Sequence, residues 1–165
     1  MKKETMNMSR NEIKINNYKK LSIKHILLDY NGTLAKDGVL KEGVKKLLGE
    51  LSKLYTLHII TADTFGNVHS QVSTFDVRVK VLESQDHTGE KEEYVKSLGA
   101  SSCVAVGNGN NDIEMLKTAS LGIAIMGDEG CATQTLLVSD ATCKSIEDAL
   151  ELFLSPKRLI ATLRK

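Results

Sequence analysis

Five short apolar runs, HILLD, YTLHII, VRVKVL, SCVAV and LGIAIM, are separated by helix-forming stretches along this chain. That alternation is its strongest constraint. Strands that alternate with helices are not joined by tight turns. They line up in parallel, with the helices packed on both faces of the sheet. The expected fold is therefore α/β, with three α/β/α layers and a mainly parallel central sheet. In such sheets ligands bind beyond the C-terminal strand ends, so Asp29, Thr61 and Gly107 should open onto one crevice.

The rest of the chain fits that plan. EIKI and LSIKHILLD read as two strands joined by a polar turn, NNYKK. In KEGVKKLLGELSKL, helical spacing puts Val44, Leu47, Leu48, Leu51 and Leu54 on one face. A polar helix is expected from about Phe65 to Ser73. EKEEYVKSLG reads as a helix closed by Gly99, a residue suited to the left-handed position after a helix. NDIEMLKTA, CATQTLLV and SIEDALELF read as further helices, with a short strand near Ala141. Ser155-Pro156 reads as an N-cap followed by Pro at the first helical position. The 165 residues suit one domain over 1–165, with residues 1–10 a loose polar segment.

Composition excludes several classes. A formal net charge of +1 gives no basic excess for nucleic acid, and the absence of Trp leaves no rich stacking platform. No apolar run is long enough for a membrane helix, and the N-terminus lacks the apolar core of a signal peptide. Cys103, Cys131 and Cys143 are scattered and odd in number, which fits a reducing cytoplasm better than a disulfide framework. His25, His58, His69 and His87 show no metal-ligand spacing and read as core or surface residues.

The chemistry-bearing residues gather at the strand ends. HILLDYNGTLAKDG carries Asp29, Asn31 and Thr33. It has two readings. Asn31-Gly32 between apolar runs is a hairpin signal, and Asp29 at the end of an apolar strand is also where a phosphoryl-accepting carboxylate would sit. Against the hairpin, TLAKDG is a poor returning strand. Thr61 and Asp63 follow the next strand, Lys91 begins a later helix, and GNGNND supplies Asn108, Asn111 and Asp112. Phosphoryl transfer asks for such a set. A carboxylate attacks phosphorus, while a lysine, hydroxyls, backbone donors and a divalent ion neutralise the equatorial oxygens. Oxygen ligands at this density suit Mg²⁺. The GNG run is not a dinucleotide fingerprint, because the third glycine position is Asp112.

In order, these segments resemble the four motifs of the haloacid dehalogenase superfamily of aspartate-nucleophile phosphohydrolases and phosphotransferases. Asp29-Tyr30-Asn31-Gly32-Thr33 is similar to the first, Thr61 to the second, Lys91 to the third and Gly107–Asp112 to the fourth, within residues 22–154. DYNGTLA, TAD and VGNGNNDIEMLKTASLGIAIMG more closely resemble the phosphorylation domain of P-type ATPases. The resemblance implies an Mg²⁺-dependent phosphohydrolase with Asp29 as nucleophile and a backbone carbonyl from Asn31 on the metal. It further implies phosphate contacts from Thr33, Thr61 and Ala62, charge balance from Lys91, and Asn108 and Asp112 completing the metal site.

Two residues depart from the pattern. Most such phosphatases have a second Asp where Asn31 stands, and an amide cannot shuttle a proton near neutral pH. Proton transfer of that kind is worth about 10²–10⁴-fold, so slow turnover favouring acyl and aryl phosphates is expected. Asn108 stands where the family usually has Asp, keeping the oxygen but losing the charge. The alternative is a catalytically impaired phosphate- or phosphoprotein-binding protein of the same fold. Only 27 residues separate Thr33 from Thr61, all used by one helix and one strand, so no cap domain is expected. An open site suits a phosphorylated small molecule or phosphoprotein, or cover by a neighbouring subunit in a homo-oligomer.

Overall fold

The computed structural model describes residues 11–165; the segment expected to be loose, 1–10, lies outside them. The chain opens with β1 (Glu12–Ile15) and β2 (Lys19–Ser22), an antiparallel hairpin, and then enters the main sheet as β3 (His25–Asp29). The run Leu21–Asp29 is therefore two strands and not one. Ile23 N–H donates to Asn11, closing the hairpin, and the next residue, Lys24, donates to Ser102 beside the main sheet. One apolar run thus serves two sheets, a division its hydropathy does not mark.

After β3 come β4 (Ala35–Lys36) and β5 (Val39–Leu40), α1 (Glu42–Leu51), β6 (Thr56–Thr61), α2 (Val68–Val72), β7 (Val77–Val81) and α3 (His87–Leu98). The second half continues with β8 (Cys103–Gly107), α4 (Ile113–Thr118), β9 (Leu121–Ile125), α5 (Thr133–Val138), β10 (Ala141–Cys143), α6 (Ile146–Leu154) and α7 (Pro156–Leu163). A hairpin does follow the first motif, but its turn is Asp37-Gly38, with φ of +50° and +78°. Two consecutive positive φ angles define the turn that Asp-Gly favours. Asn31-Gly32 is not that turn: TLAKDG holds the outgoing strand β4 and the turn itself, and the returning strand, β5, follows it.

The six-stranded sheet runs β10-β9-β8-β3-β6-β7, parallel throughout. The chain leaves β3 toward β6 and β7, then returns to β8 on the other side of β3. The order reverses at β3, which makes the gap beyond β3 and β8 the switch point where ligands bind. Both faces are covered. Ile26 and Leu28 of β3 pack with Val44, Leu48 and Leu51 of α1 and with α6; Leu27 packs with Val95 of α3 and Met115 and Leu116 of α4. Burial on both faces explains why HILLD reads as a continuous apolar run.

Two helix details differ from expectation. The helix expected over 65–73 is confined to Val68–Val72. Asp63 Oδ1 accepts from the N–H groups of Asn67 and Val68, and Gly66 has φ of +66°, so Phe65–Asn67 form a loop gathered around Asp63. Ser155 occupies the N-cap of α7 before Pro156, but its side chain makes no capping bond. No helix among the described residues is long and apolar enough to cross a membrane.

Candidate active site

Asp29 is the last residue of β3 and is buried, with 7% of its surface exposed. Its Oδ1 accepts from Lys91 Nζ at 2.7 Å, and its Oδ2 from the Thr33 hydroxyl at 3.2 Å. Lys91, on α3, is also buried and donates to Asp112 Oδ1 at 2.6 Å. The other oxygen of Asp112 accepts the N–H groups of Asn108 at 3.0 Å and Gly109 at 2.9 Å. The loop after β8 is thereby folded over a carboxylate that anchors the lysine. A Cβ on Gly107 would stand 2.4 Å from that carboxylate, so only glycine leaves room for it.

Two carboxylates and one ammonium form this buried cluster. Burial and the neighbouring Asp112 push the Asp29 carboxyl up to about 6, against the pull of Lys91 and Thr33. Burial alone would lower Lys91, but Asp29 and Asp112 outweigh it and hold the ammonium above its ordinary range. The lysine is therefore a fixed positive charge, and Asp29 carries a charge its surroundings do not fully compensate.

Asn108 is oriented by its amide, which donates to Gly130 at 3.1 Å. Its Oδ1 consequently faces the Thr33 hydroxyl, 3.2 Å away. That hydroxyl has one hydrogen for two acceptors, Asp29 and Asn108, so one acceptor always has an uncommitted lone pair toward its neighbour. Among the described residues, Asn31 Oδ1 is buried with no hydrogen-bond partner. A buried acceptor without a partner costs about 1–3 kcal/mol. Gly32, at φ of +78°, lets the loop pass beneath Asn108 and Glu129, both of which would touch a Cβ placed there.

A cavity of about 280 Å³ opens at the ends of β3, β6 and β8. Asp29, Asn31, Thr61, Ala62, Lys91 and Asn108 reach its wall, joined by Thr64, His87, Gly109 and Asn111. Thr33 and Asp112 lie behind the wall, engaged as described. Thr61 Oγ1 accepts the Asp63 N–H at 2.9 Å, which leaves its own hydrogen free to donate. A larger groove, about 460 Å³, runs between α1, α6 and α7 but contains none of these residues. Convergent polar chemistry, not size, marks the site.

Thr64 and His87 are additions to the cavity wall that sequence reasoning missed. The signal for His87 was its spacing: four residues before Lys91 in one helix, it shares the lysine's face. His58 is indeed core, bonded to His25 at 3.1 Å and to the Tyr94 hydroxyl at 2.9 Å. His69 is exposed.

Comparison with known proteins agrees with this picture. The family model for haloacid dehalogenase-like hydrolases matches residues 91–135. An uncharacterized protein of Methanocaldococcus jannaschii is 49% identical over 73 residues, which is 44% of this chain and 78% of that protein. Among solved structures, the 3-deoxy-D-manno-octulosonate 8-phosphate phosphatase of Moraxella catarrhalis, in complex with magnesium, phosphate and KDO, superposes with a TM-score of 0.68 at 22% identity, covering 86% of this chain and 94% of that one. A zinc-transporting PIB-type ATPase in its E2.Pi state gives a TM-score of 0.61 at 21% identity over 75% of this chain and 20% of the pump. The fold is that of the haloacid dehalogenase-like phosphatases among these structures, and residues 91–135 match the model of haloacid dehalogenase-like hydrolases. The chain belongs to the same family as the Methanocaldococcus protein.

Proposed function

We propose that this protein is a phosphohydrolase that uses Mg²⁺ and forms an aspartyl phosphate on Asp29. The observation that carries the reading is the position of Asp29. Its carboxylate ends the strand at the sheet's switch point, faces a polar cavity, and is held by a buried lysine and a hydroxyl.

The residues present fit a divalent cation. The Asp29–Lys91–Asp112 cluster has one more negative than positive charge, and Asn31, with its orphaned Oδ1, and Asn108 line the same cavity. Asp29, the backbone carbonyl of Asn31 and Asn108 would hold the ion, and Asp112, with both oxygens already bonded, would act on it through water. When bound, the ion neutralises charge on the phosphoryl oxygens.

An Asp29 oxygen attacks phosphorus and the bond to the leaving oxygen breaks. Thr61 donates its free hydroxyl hydrogen to the phosphoryl group, and Ala62 lines the same wall. Lys91 offsets the charge that Asp29 shares with the phosphoryl group. Water then attacks phosphorus, and the Asp29 carboxylate is released. Asn31 can orient a leaving group or a water but cannot relay its proton. The preferred substrates are phosphorylated small molecules with good leaving groups. Replacement of two acidic groups by Asn31 and Asn108 favours the second reading, a phosphate- or phosphoprotein-binding protein with little turnover.

Phosphate release from an aryl phosphate and an acyl phosphate, with Mg²⁺ or with chelator, separates the two. Turnover that requires Mg²⁺ and vanishes in Asp29→Asn is expected. Tight phosphate binding without turnover would favour the second reading.

A further inference from the structure

We infer that His87 is the general acid and base of this site, taking over the proton transfers that Asn31 cannot perform; this rests on the phosphohydrolase reading above. The inference begins with what the cavity wall can do. Lys91 is committed to two carboxylates and held protonated, and Asp29 is the nucleophile. Thr61 and Thr64 are hydroxyls, and Asn31, Asn108 and Asn111 are amides, none of which exchanges protons readily near neutral pH. Among the described residues, the remaining titratable side chain on the wall is the His87 imidazole, a group type suited to proton transfer.

Position supports the same assignment. His87 opens α3 one helical turn before Lys91, so the two side chains stack on the face turned toward Asp29. The ring is half-buried. Its acidic neighbours on α3 are bonded elsewhere: Asp86 accepts from Gly89, and Glu90 accepts from the N–H groups of Glu83 and Ser84 and pairs with Lys80. The charges facing it from the cavity floor are Asp29 and Lys91, with Asp112 behind them.

In the first step an Asp29 oxygen bonds to phosphorus, the phosphorus–oxygen bond to the leaving group breaks, and the leaving oxygen takes a proton from His87 imidazolium. In the second, neutral His87 takes a proton from water as its oxygen bonds to phosphorus, and the bond to Asp29 breaks. Asp29 regains its carboxylate and His87 its proton. The sum is phosphate ester plus water giving alcohol plus phosphate.

The test is to load wild type and His87→Gln with acetyl phosphate and Mg²⁺, remove the donor, and follow the phosphoryl adduct by intact-mass spectrometry. Circular dichroism of the variant checks its fold. Acetyl phosphate needs little acid help, so His87→Gln should still form an adduct. Its decay should slow by about 10²–10⁴-fold, and added imidazole or the second substitution Asn31→Asp should restore it. An adduct that decays within twofold of the wild-type rate would overturn the role of His87 while leaving Asp29 as nucleophile. A wild type that forms no adduct would overturn the phosphoryl-transfer reading and this inference with it.

Discussion

Lys91 and Asp112 form an ion pair 2.6 Å long in which the side chains expose only 1% and 0% of their surface. The same ammonium holds Asp29, while Asp112 holds the loop after β8. The site is thus built around one buried cation. Removing one partner of a buried pair leaves an uncompensated charge, typically at a cost of about 3–5 kcal/mol. Lys91→Met should lower unfolding stability by about that amount in urea titrations, and it should abolish phosphoryl transfer. Wild-type stability in this variant would show that the pair is not what organises the site.

In the proposed metal site Asn108 would supply an oxygen without a charge. Asn108→Asp restores the charge where the Thr33 hydroxyl already faces the side-chain oxygen, 3.2 Å away. Ligand charge tunes affinity for hard cations. Calorimetric titration should show Mg²⁺ binding about tenfold tighter, roughly 1.4 kcal/mol. Unchanged or weaker binding would place the ion away from Asn108.

Gly32 and Gly38 both have φ of +78°, and a Cβ on either would collide with a neighbour, but the neighbours differ. At Gly32 they are Glu129 and Asn108; at Gly38 the neighbour is the Phe65 ring. Either change to Ala should cost about 1–2 kcal/mol from the left-handed backbone alone. Gly32→Ala should also weaken Mg²⁺ binding, whereas Gly38→Ala should not. Equal effects on binding would mean that the loop beneath Asn108 does not shape the ion site.

Burial, with His25 and Arg78 nearby, lowers the His58 imidazole to about 4. Below its ordinary value of 6.5 the unfolded chain takes up a proton that the folded chain refuses, so His58 costs stability as pH falls from 6.5 toward 4. Asp29 acts in the opposite sense in the metal-free protein. Its folded value of about 6 exceeds the ordinary 3.8, so the folded state binds that proton first and gains stability as pH falls through 6. Comparing wild type with His58→Gln removes the Asp29 contribution. The variant should gain on wild type by about 1.4 kcal/mol for each pH unit across the His58 window. Parallel stability–pH curves would contradict the burial of a neutral His58.

Much of this was legible in the sequence, for identifiable reasons. The parallel strands are apolar because both faces are covered, and their ends carry the reactive side chains, so order alone brought Asp29, Thr61, Lys91 and Asn108 to one cavity. What sequence did not reveal depends on contacts between elements. Nothing local says that Leu21 belongs to the β1–β2 hairpin and Ile26 to the main sheet. The Asp37-Gly38 turn was hidden by strands only two residues long. The His25–His58–Tyr94 chain joins β3, β6 and α3, which no spacing rule connects. His87 was discounted for lacking metal-ligand spacing, when its spacing to Lys91 was the informative one.

The central claim is that Asp29 accepts a phosphoryl group. Its most direct test is intact-mass spectrometry of wild type and Asp29→Asn after exposure to acetyl phosphate with Mg²⁺. The account predicts a single phosphoryl adduct on the wild type, absent from the variant and absent when Mg²⁺ is chelated. An adduct of equal yield on Asp29→Asn would contradict it, as would a wild type that turns over phosphate esters without ever carrying the adduct under acid quench.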